Sequence, residues 1–255
     1  MAAPSPSKPD PAWTHAALYE RVVDALRAIP AHFASGTVIE GILATDLQTL
    51  NAPLGATIED QVVETLNRMR PVWDPGERYQ TFSFHRQAQT FPDVLLKADR
   101  DGQEVILGIE LKGWYLLAKE GEPNFRFQVA PAACAAADLL VVVPWALKNV
   151  LSGRPVAFKP FVIPARYAAE YRNYWWLEVR EVQAGERHIE SPPGVAPYPR
   201  KSDKIADLPS SDKGGNFGRL ARTGILDDYL AEMRGTLLAG VPVAAWLSFL
   251  KKFKQ

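Results

Sequence analysis

Cysteine is almost absent from this 255-residue chain. Cys134 stands alone, so no internal disulfide can form and no cysteine cluster can hold zinc. Histidine is nearly as scarce, and His15, His32, His85 and His188 share no metal-ligand spacing. Long apolar runs are missing too. The longest, at 139–147, already contains Pro144 and falls far short of the roughly twenty residues a membrane span needs. The opening MAAPSPSKPD has no cationic start followed by an apolar stretch, so no secretion signal is expected, and the expected compartment is a reducing cytoplasm. No GxSxG turn is present to hold a nucleophilic serine. Cys134 lies in an alanine run, where burial is expected rather than reactivity.

Net charge is lacking as well. Lys+Arg and Asp+Glu both number 29, which argues against coating nucleic acid through bulk charge but not against an enzyme that keeps its basic groups local. Two stretches are locally basic. Lys148, Arg154, Lys159, Arg166 and Arg172 face only Glu170 within 147–172, and Arg200, Lys201, Lys204, Lys213, Arg219 and Arg222 outnumber Asp203, Asp207 and Asp212 within 200–222. Either stretch also reads as ordinary solvated surface. With 47% apolar and 23% charged residues the composition is that of a soluble globular protein. The length fits one large domain whose core needs no disulfide or structural metal.

Residues 1–10 are rich in Pro and Ser and should fray. Leu18, Val22, Leu26 and Ile29 recur at helical spacing over 13–29, with Pro30 ending the run, and a second helix fits 38–50. Thr57, with Asp60 three residues on, predicts a helix start ahead of Ile58, Val62, Val63, Leu66 and Met69. Strand-like runs follow at 79–85, 91–98 and 104–112. The Ala-rich segment ending near Ala137 reads as a helix that starts or kinks at Pro131, and LLVVV at 139–143 as a buried strand. The stretch 183–218 reads as a long loop or mobile flap, and 241–253 as a packed terminal helix carrying Val243, Trp246, Leu247 and Leu250. The result is an α/β order of helix, three-strand meander, helix, strand.

Asp101-Gly102 is a strong two-residue hairpin signal. With those residues as the loop, position i pairs with 203 − i, and Asp93 falls opposite Glu110. Alternation puts Val94, Leu96 and Ala98 with Val105, Leu107, Ile109 and Leu111 on one apolar face, and Asp93, Leu95, Lys97, Ile106, Gly108, Glu110 and Lys112 on the other. Two opposed carboxylates repel by roughly 3 kcal/mol at about 5 Å with an effective dielectric of about 20. Something positive belongs between them. Lys112 offers one charge, and a divalent cation offers two. The plainer alternative is a hairpin whose carboxylates point into solvent with Lys112 as partner. On the wheel of 58–69, Glu59 falls within the apolar arc while Asp60 and Glu64 point away. A carboxylate there needs a partner or a metal, or else it caps the helix start or meets an Arg.

Pro92-Asp93, then Glu110-Leu111-Lys112 closing an apolar strand, resembles the PD-(D/E)xK nuclease superfamily, whose core has the element order just derived. The resemblance covers about 55–145. Within that superfamily a chain of this size with no helicase or ATPase motif is most similar to type II restriction endonucleases. KSDKIADLPSSDKGGNFGRLARTG also resembles what such enzymes carry, although it matches no named motif. The resemblance implies a restriction-endonuclease-like core at 55–145 within a single nuclease domain, 1–255. A helical addition at 1–54 would precede that core, and a C-terminal part at 146–255 would follow it, with the 183–218 loop and terminal helices. It implies that Asp93 and Glu110 hold Mg²⁺ with the Leu111 carbonyl, that Glu59 binds the metal directly or through water, and that Lys112 orients and helps deprotonate the attacking water. The implied reaction is hydrolysis of double-stranded DNA at a short sequence by a homodimer, with a cognate DNA methyltransferase implied genetically and no membrane. Arg200, Lys201, Lys204, Lys213, Arg219 and Arg222 are the DNA-binding candidates for reading bases in the major groove, typically Arg to guanine, and Asn216 for adenine; a solvated loop is the other reading. Tyr167, Tyr171, Tyr174, Trp175 and Trp176 read as core or subunit interface, with base stacking as the other reading. A structure-specific repair nuclease and a non-catalytic DNA-binding module are the alternatives.

Overall fold

The computed structural model describes residues 2–87, 89–99, 104–180, 187–212 and 216–252. Helix α1 is Ala16–His32, and it buries Leu18, Val22, Leu26 and Ile29 as the periodicity requires. Pro30 does not end it. Lying in the last turn it costs one intrahelical bond, and Phe33 N–H still donates to Ile29 at 2.8 Å. The helix expected at 38–50 shrinks to a 3₁₀ turn at Leu47–Thr49. The segment before that turn is used elsewhere, because Ile39 and Gly153 exchange backbone hydrogen bonds at 3.1 and 2.7 Å.

Helix α2 is Asn51–Arg68, so Thr57 lies inside it rather than capping it. Pro53 is tolerated because the first turn has no intrahelical acceptor for its missing N–H. The short helix α3, Arg70–Trp73, follows. Strands β1 (Phe82–Arg86), β2 (Val94–Ala98) and β3 (Val105–Tyr115) form an antiparallel meander. Val94 pairs with Ile109, Leu95 with Gly108 and Leu96 with Leu107, the register read from the sequence. A bulge after Leu96 then shifts Lys97 onto Val105. The Asp101-Gly102 turn itself lies outside the described residues. Strand β4, Leu139–Leu147, is buried along its whole length and runs parallel to β3, with Ile109 beside Leu139 and Tyr115 beside Trp145.

The connection from β3 to β4 corrects one expectation. Among its described residues the Ala-rich segment forms only a 3₁₀ turn, Pro131–Ala133, not a helix. Three competitors take its backbone groups. Asp138 Oδ2 accepts the Ala135 N–H at 2.7 Å, Arg166 Nη2 donates to the Cys134 carbonyl at 2.7 Å, and the Ala130 N–H donates to Ile205 at 2.7 Å. Alanine propensity is worth less than those contacts. The α/β class therefore stands, whereas the second helix of the expected core order is not in the expected place.

Beyond β4, strands β5 (Pro155–Ala157) and β6 (Phe161–Pro164) pair side by side along its far edge. Helix α4, Ala165–Tyr174, runs into a π turn at Trp175–Val179. Here Trp176 is buried with Arg180 3.7 Å over its ring, while Tyr167, Tyr171, Tyr174 and Trp175 are half-buried. Ribbon β7 (Ile189–Glu190) with β8 (Leu208–Pro209), helix α5 (Asp227–Gly235), ribbon β9 (Leu237–Leu238) with β10 (Val241–Pro242) and helix α6 (Val243–Lys251) complete the chain. One hydrophobic cluster reaches from Leu18 to Leu250 and includes Cys134. No helix among the described residues is long and apolar enough to cross a membrane.

Candidate active site

The site is built where β3 outruns β2. Strand β2 begins at Val94, opposite Ile109, so from Leu111 onward that edge of β3 lacks a strand neighbour. Even-numbered N–H groups of β3 face β4, and Gly108 at the start of this series donates to Asp138 Oδ1 at 2.7 Å. The odd-numbered ones face the open side, and side chains take them in turn. Leu111 donates to Asp93 Oδ2 at 3.1 Å, Gly113 to Glu59 Oε1 at 3.2 Å, and Tyr115 to Asn51 Oδ1 at 2.8 Å. An exposed strand edge is thus satisfied by two carboxylates and an amide. Because a strand residue's N–H and C=O point the same way, the Leu111 carbonyl faces this gap too.

Side chains of Glu110 and Lys112 share one face of β3, and Asp93 stands next to β2's first residue. Lys112 Nζ lies 2.8 Å from Asp93 Oδ2 and 2.9 Å from Glu110 Oε1. Burial pushes the Glu110 carboxyl up to about 7, with Asp93 adding to the rise and Lys112 opposing it. Burial would lower the Lys112 ammonium, but Glu110 and Asp93 outweigh it and raise its pKa above the ordinary lysine value. Lys112 therefore holds its proton firmly in this arrangement. It is a charge and a hydrogen-bond donor toward both acids. Glu59 is also raised, mainly by burial, against the Gly113 N–H and Lys112. Its second oxygen lies 3.3 Å from Arg86 Nη2, and Arg86 Nη1 is 3.0 Å from Asp60. The Arg partner considered for Glu59 is thus present, on β1.

Among the described residues no group of three or more His, Cys, Asp or Glu is gathered as metal ligands. The cation between Asp93 and Glu110 is the Lys112 ammonium. Even so, two carboxylates beside a strand carbonyl fit the habit of Mg²⁺, which takes one or two carboxylates and fills its shell with water and phosphate oxygens. Asp93, Glu110 and Leu111 would hold it. Glu59, with both oxygens engaged, would reach it through water.

The basic candidates separate into two groups. Arg200, Lys201 and Lys204 are exposed on the loop before β8. Arg219 donates to Asn124 at 2.5 Å, and Arg222 donates to the Asn216 side-chain oxygen, so that amide oxygen is already occupied. Lys213 lies outside the described residues. The described part of the 183–218 stretch is largely irregular and is anchored at several points. Asp207 forms a fully buried pair with Arg172 at 2.5 Å, its N–H donates to Gln128 at 2.8 Å, and Tyr198 Oη donates to Asp138 at 3.3 Å.

Asn51, Arg86, Asp138 and Tyr198 escaped the sequence reading. Asp138 had one available signal, a lone acid directly ahead of an all-apolar strand. The others act on partners distant in sequence. Comparison with known proteins finds no family model, no curated protein and no solved structure that this chain matches.

Proposed function

We propose that the chain is a Mg²⁺-dependent endonuclease that hydrolyses double-stranded DNA at a short specific sequence, in the manner of type II restriction enzymes. The observation that carries this reading is Lys112 Nζ standing 2.8 Å from Asp93 and 2.9 Å from Glu110 at an open strand edge. With both acids ionised, one ammonium leaves that cluster short of positive charge. Bound there, Mg²⁺ would lower the pKa of a coordinated water and offset charge on the five-coordinate phosphorus. Asp93, Glu110 and the Leu111 carbonyl would hold that ion. Released from one carboxylate, Lys112 orients the attacking water and stabilises the phosphoryl oxygens. The water oxygen bonds to phosphorus as the bond to the 3′ oxygen breaks. A water proton leaves to solvent and the 3′ oxygen gains one, giving a 5′-phosphate and a 3′-hydroxyl.

The test is incubation of purified protein with unmethylated phage DNA and Mg²⁺, followed by sequencing of the ends. Discrete fragments are expected. Asp93→Ala, Glu110→Ala and Lys112→Ala should each lower cleavage by about 10³-fold or more while metal-free DNA binding survives. Cleavage retained in any two of them defeats the assignment. Nicking confined to flaps or mismatches moves the protein to a repair role. A non-catalytic DNA-binding module is the other reading. Absence of Mg²⁺-dependent cleavage selects it.

A further inference from the structure

The carboxylate site and the basic loop meet at one buried side chain. Asp138 is 1% exposed. Its Oδ2 accepts the Ala135 N–H, and its Oδ1 accepts both the Gly108 N–H at 2.7 Å and the Tyr198 hydroxyl at 3.3 Å. Gly108 lies two residues before Glu110 on the same face of β3. Pro92, directly before Asp93, packs so closely on Gly108 that a Cβ there would sit 2.2 Å from Pro92 Cγ. Asp138 thus ties the Gly108 backbone of β3, two residues from Glu110, to Tyr198 in the loop at 192–205.

That loop is a shaped surface. It borders a groove of about 560 Å³ lined with prolines and with Arg200 and Lys204. Arg200, Lys201 and Lys204 form no salt bridge among the described residues, and the one acid among them, Asp203, accepts the Arg200 backbone N–H at 2.8 Å. Two of the three cations are lysines, point charges that suit phosphate rather than bidentate base edges. We infer that the 192–205 loop is a clamp for the phosphate backbone of duplex DNA, set at a fixed distance from Asp93, Glu110 and Lys112 by the Tyr198–Asp138 hydrogen bond. Tyr198 is then a positioning residue. The inference rests on the nuclease reading above, and it assigns this loop to backbone contact rather than to base reading.

Two variants test it. DNA affinity is measured in EDTA across a salt series on cognate and unrelated duplexes. The combined Arg200→Ala, Lys201→Ala, Lys204→Ala variant should lose about 2.7 from the slope of log affinity against log salt, near 0.9 per phosphate contact, and lose it equally on all sequences. Tyr198→Phe should keep that slope and the wild-type melting temperature yet lower the cleavage rate at saturating DNA about tenfold or more, because a misplaced phosphate slows chemistry. An unchanged slope in the triple variant, or a wild-type rate in Tyr198→Phe, overturns the inference while leaving the nuclease reading intact. A wild-type protein that neither binds nor cuts DNA removes both.

Discussion

Two sets of ion pairs sit inside this molecule, and they are built on opposite plans. Arg172 and Asp207 are 1% and 0% exposed and matched one to one. Arg172 also donates to the Phe127 and Val129 carbonyls at 2.7 and 3.0 Å, and Asp207 accepts from Asn173 at 2.9 Å and Ser191 at 2.6 Å. The charges cancel there and the hydrogen-bonding groups are engaged. The Lys112 cluster has one cation for two acids, and its three side chains keep 23%, 25% and 11% exposure. A closed pair ties the long loop to α4 and the β3–β4 connection. An open cluster, with one cation between two acids, is what the proposed metal and phosphate chemistry would require.

Breaking the closed pair should have the largest effect on stability. Arg172→Met leaves Asp207 buried without its countercharge, at a cost of about 3–5 kcal/mol by urea denaturation. A loss under about 1 kcal/mol would mean that the pair is not the anchor described.

The open cluster predicts a pH dependence of the metal-free protein instead. Glu110 titrates near 7 when folded and near its ordinary value of 4.5 when unfolded. The folded state therefore binds more protons between those values, and stability falls as pH rises from about 4.5 to 7, by about 2–3 kcal/mol from this group. Glu110→Gln removes the titration, so melting curves in EDTA should show a shallower decline over that window. Asp138 and Glu59, also raised chiefly by burial, leave a residual slope. A variant as steep as the wild type would show that Glu110 is charged throughout.

What could be read from the sequence divides along the same line. The apolar face of the hairpin fixed its register as far as Leu96, because a one-residue slip would turn charged residues such as Lys97 or Glu110 onto the face where Val94, Leu96, Leu107 and Ile109 are buried. That register brought Asp93 to Glu110 and put Lys112 on their side. Glu59 was legible as an acid on the sheet-facing arc of α2, but not as the acceptor of the Gly113 N–H. Asn51 and Asp138 hold backbone N–H groups at Tyr115 and Gly108. A single polar residue with a distant backbone partner leaves no periodic trace. The alanine run misled for a similar reason: local propensity pointed to a helix, and contacts from Arg166, Asp138 and Ile205 overrode it.

The test that separates the two plans most finely is at Gly108. A Cβ there would meet Pro92 Cγ at 2.2 Å and Asp138 Oδ1 at 2.8 Å, so something must move. Strand β3 is held on both sides, by β2 and β4, and Asp138 is fixed by the Ala135 N–H. Pro92 is buried, with its carbonyl accepting from Gln87 Nε2 at 2.9 Å, but it lies ahead of β2 outside the strands, so relief there disturbs no strand pairing. Gly108→Ala should therefore cost only about 1–2 kcal/mol in thermal unfolding, while the shift of Pro92 carries Asp93 away from Lys112. Cleavage should fall far more than stability, about 10²-fold for a displacement near 1 Å, and a crystal structure of the variant should show the Lys112–Asp93 contact lengthened beyond its present 2.8 Å. The Arg172–Asp207 pair, which shares no contact with Gly108, should be unchanged in the same crystal. A variant that loses several kcal/mol, or one that cuts at the wild-type rate, would show that Pro92 does not couple this glycine to the carboxylate.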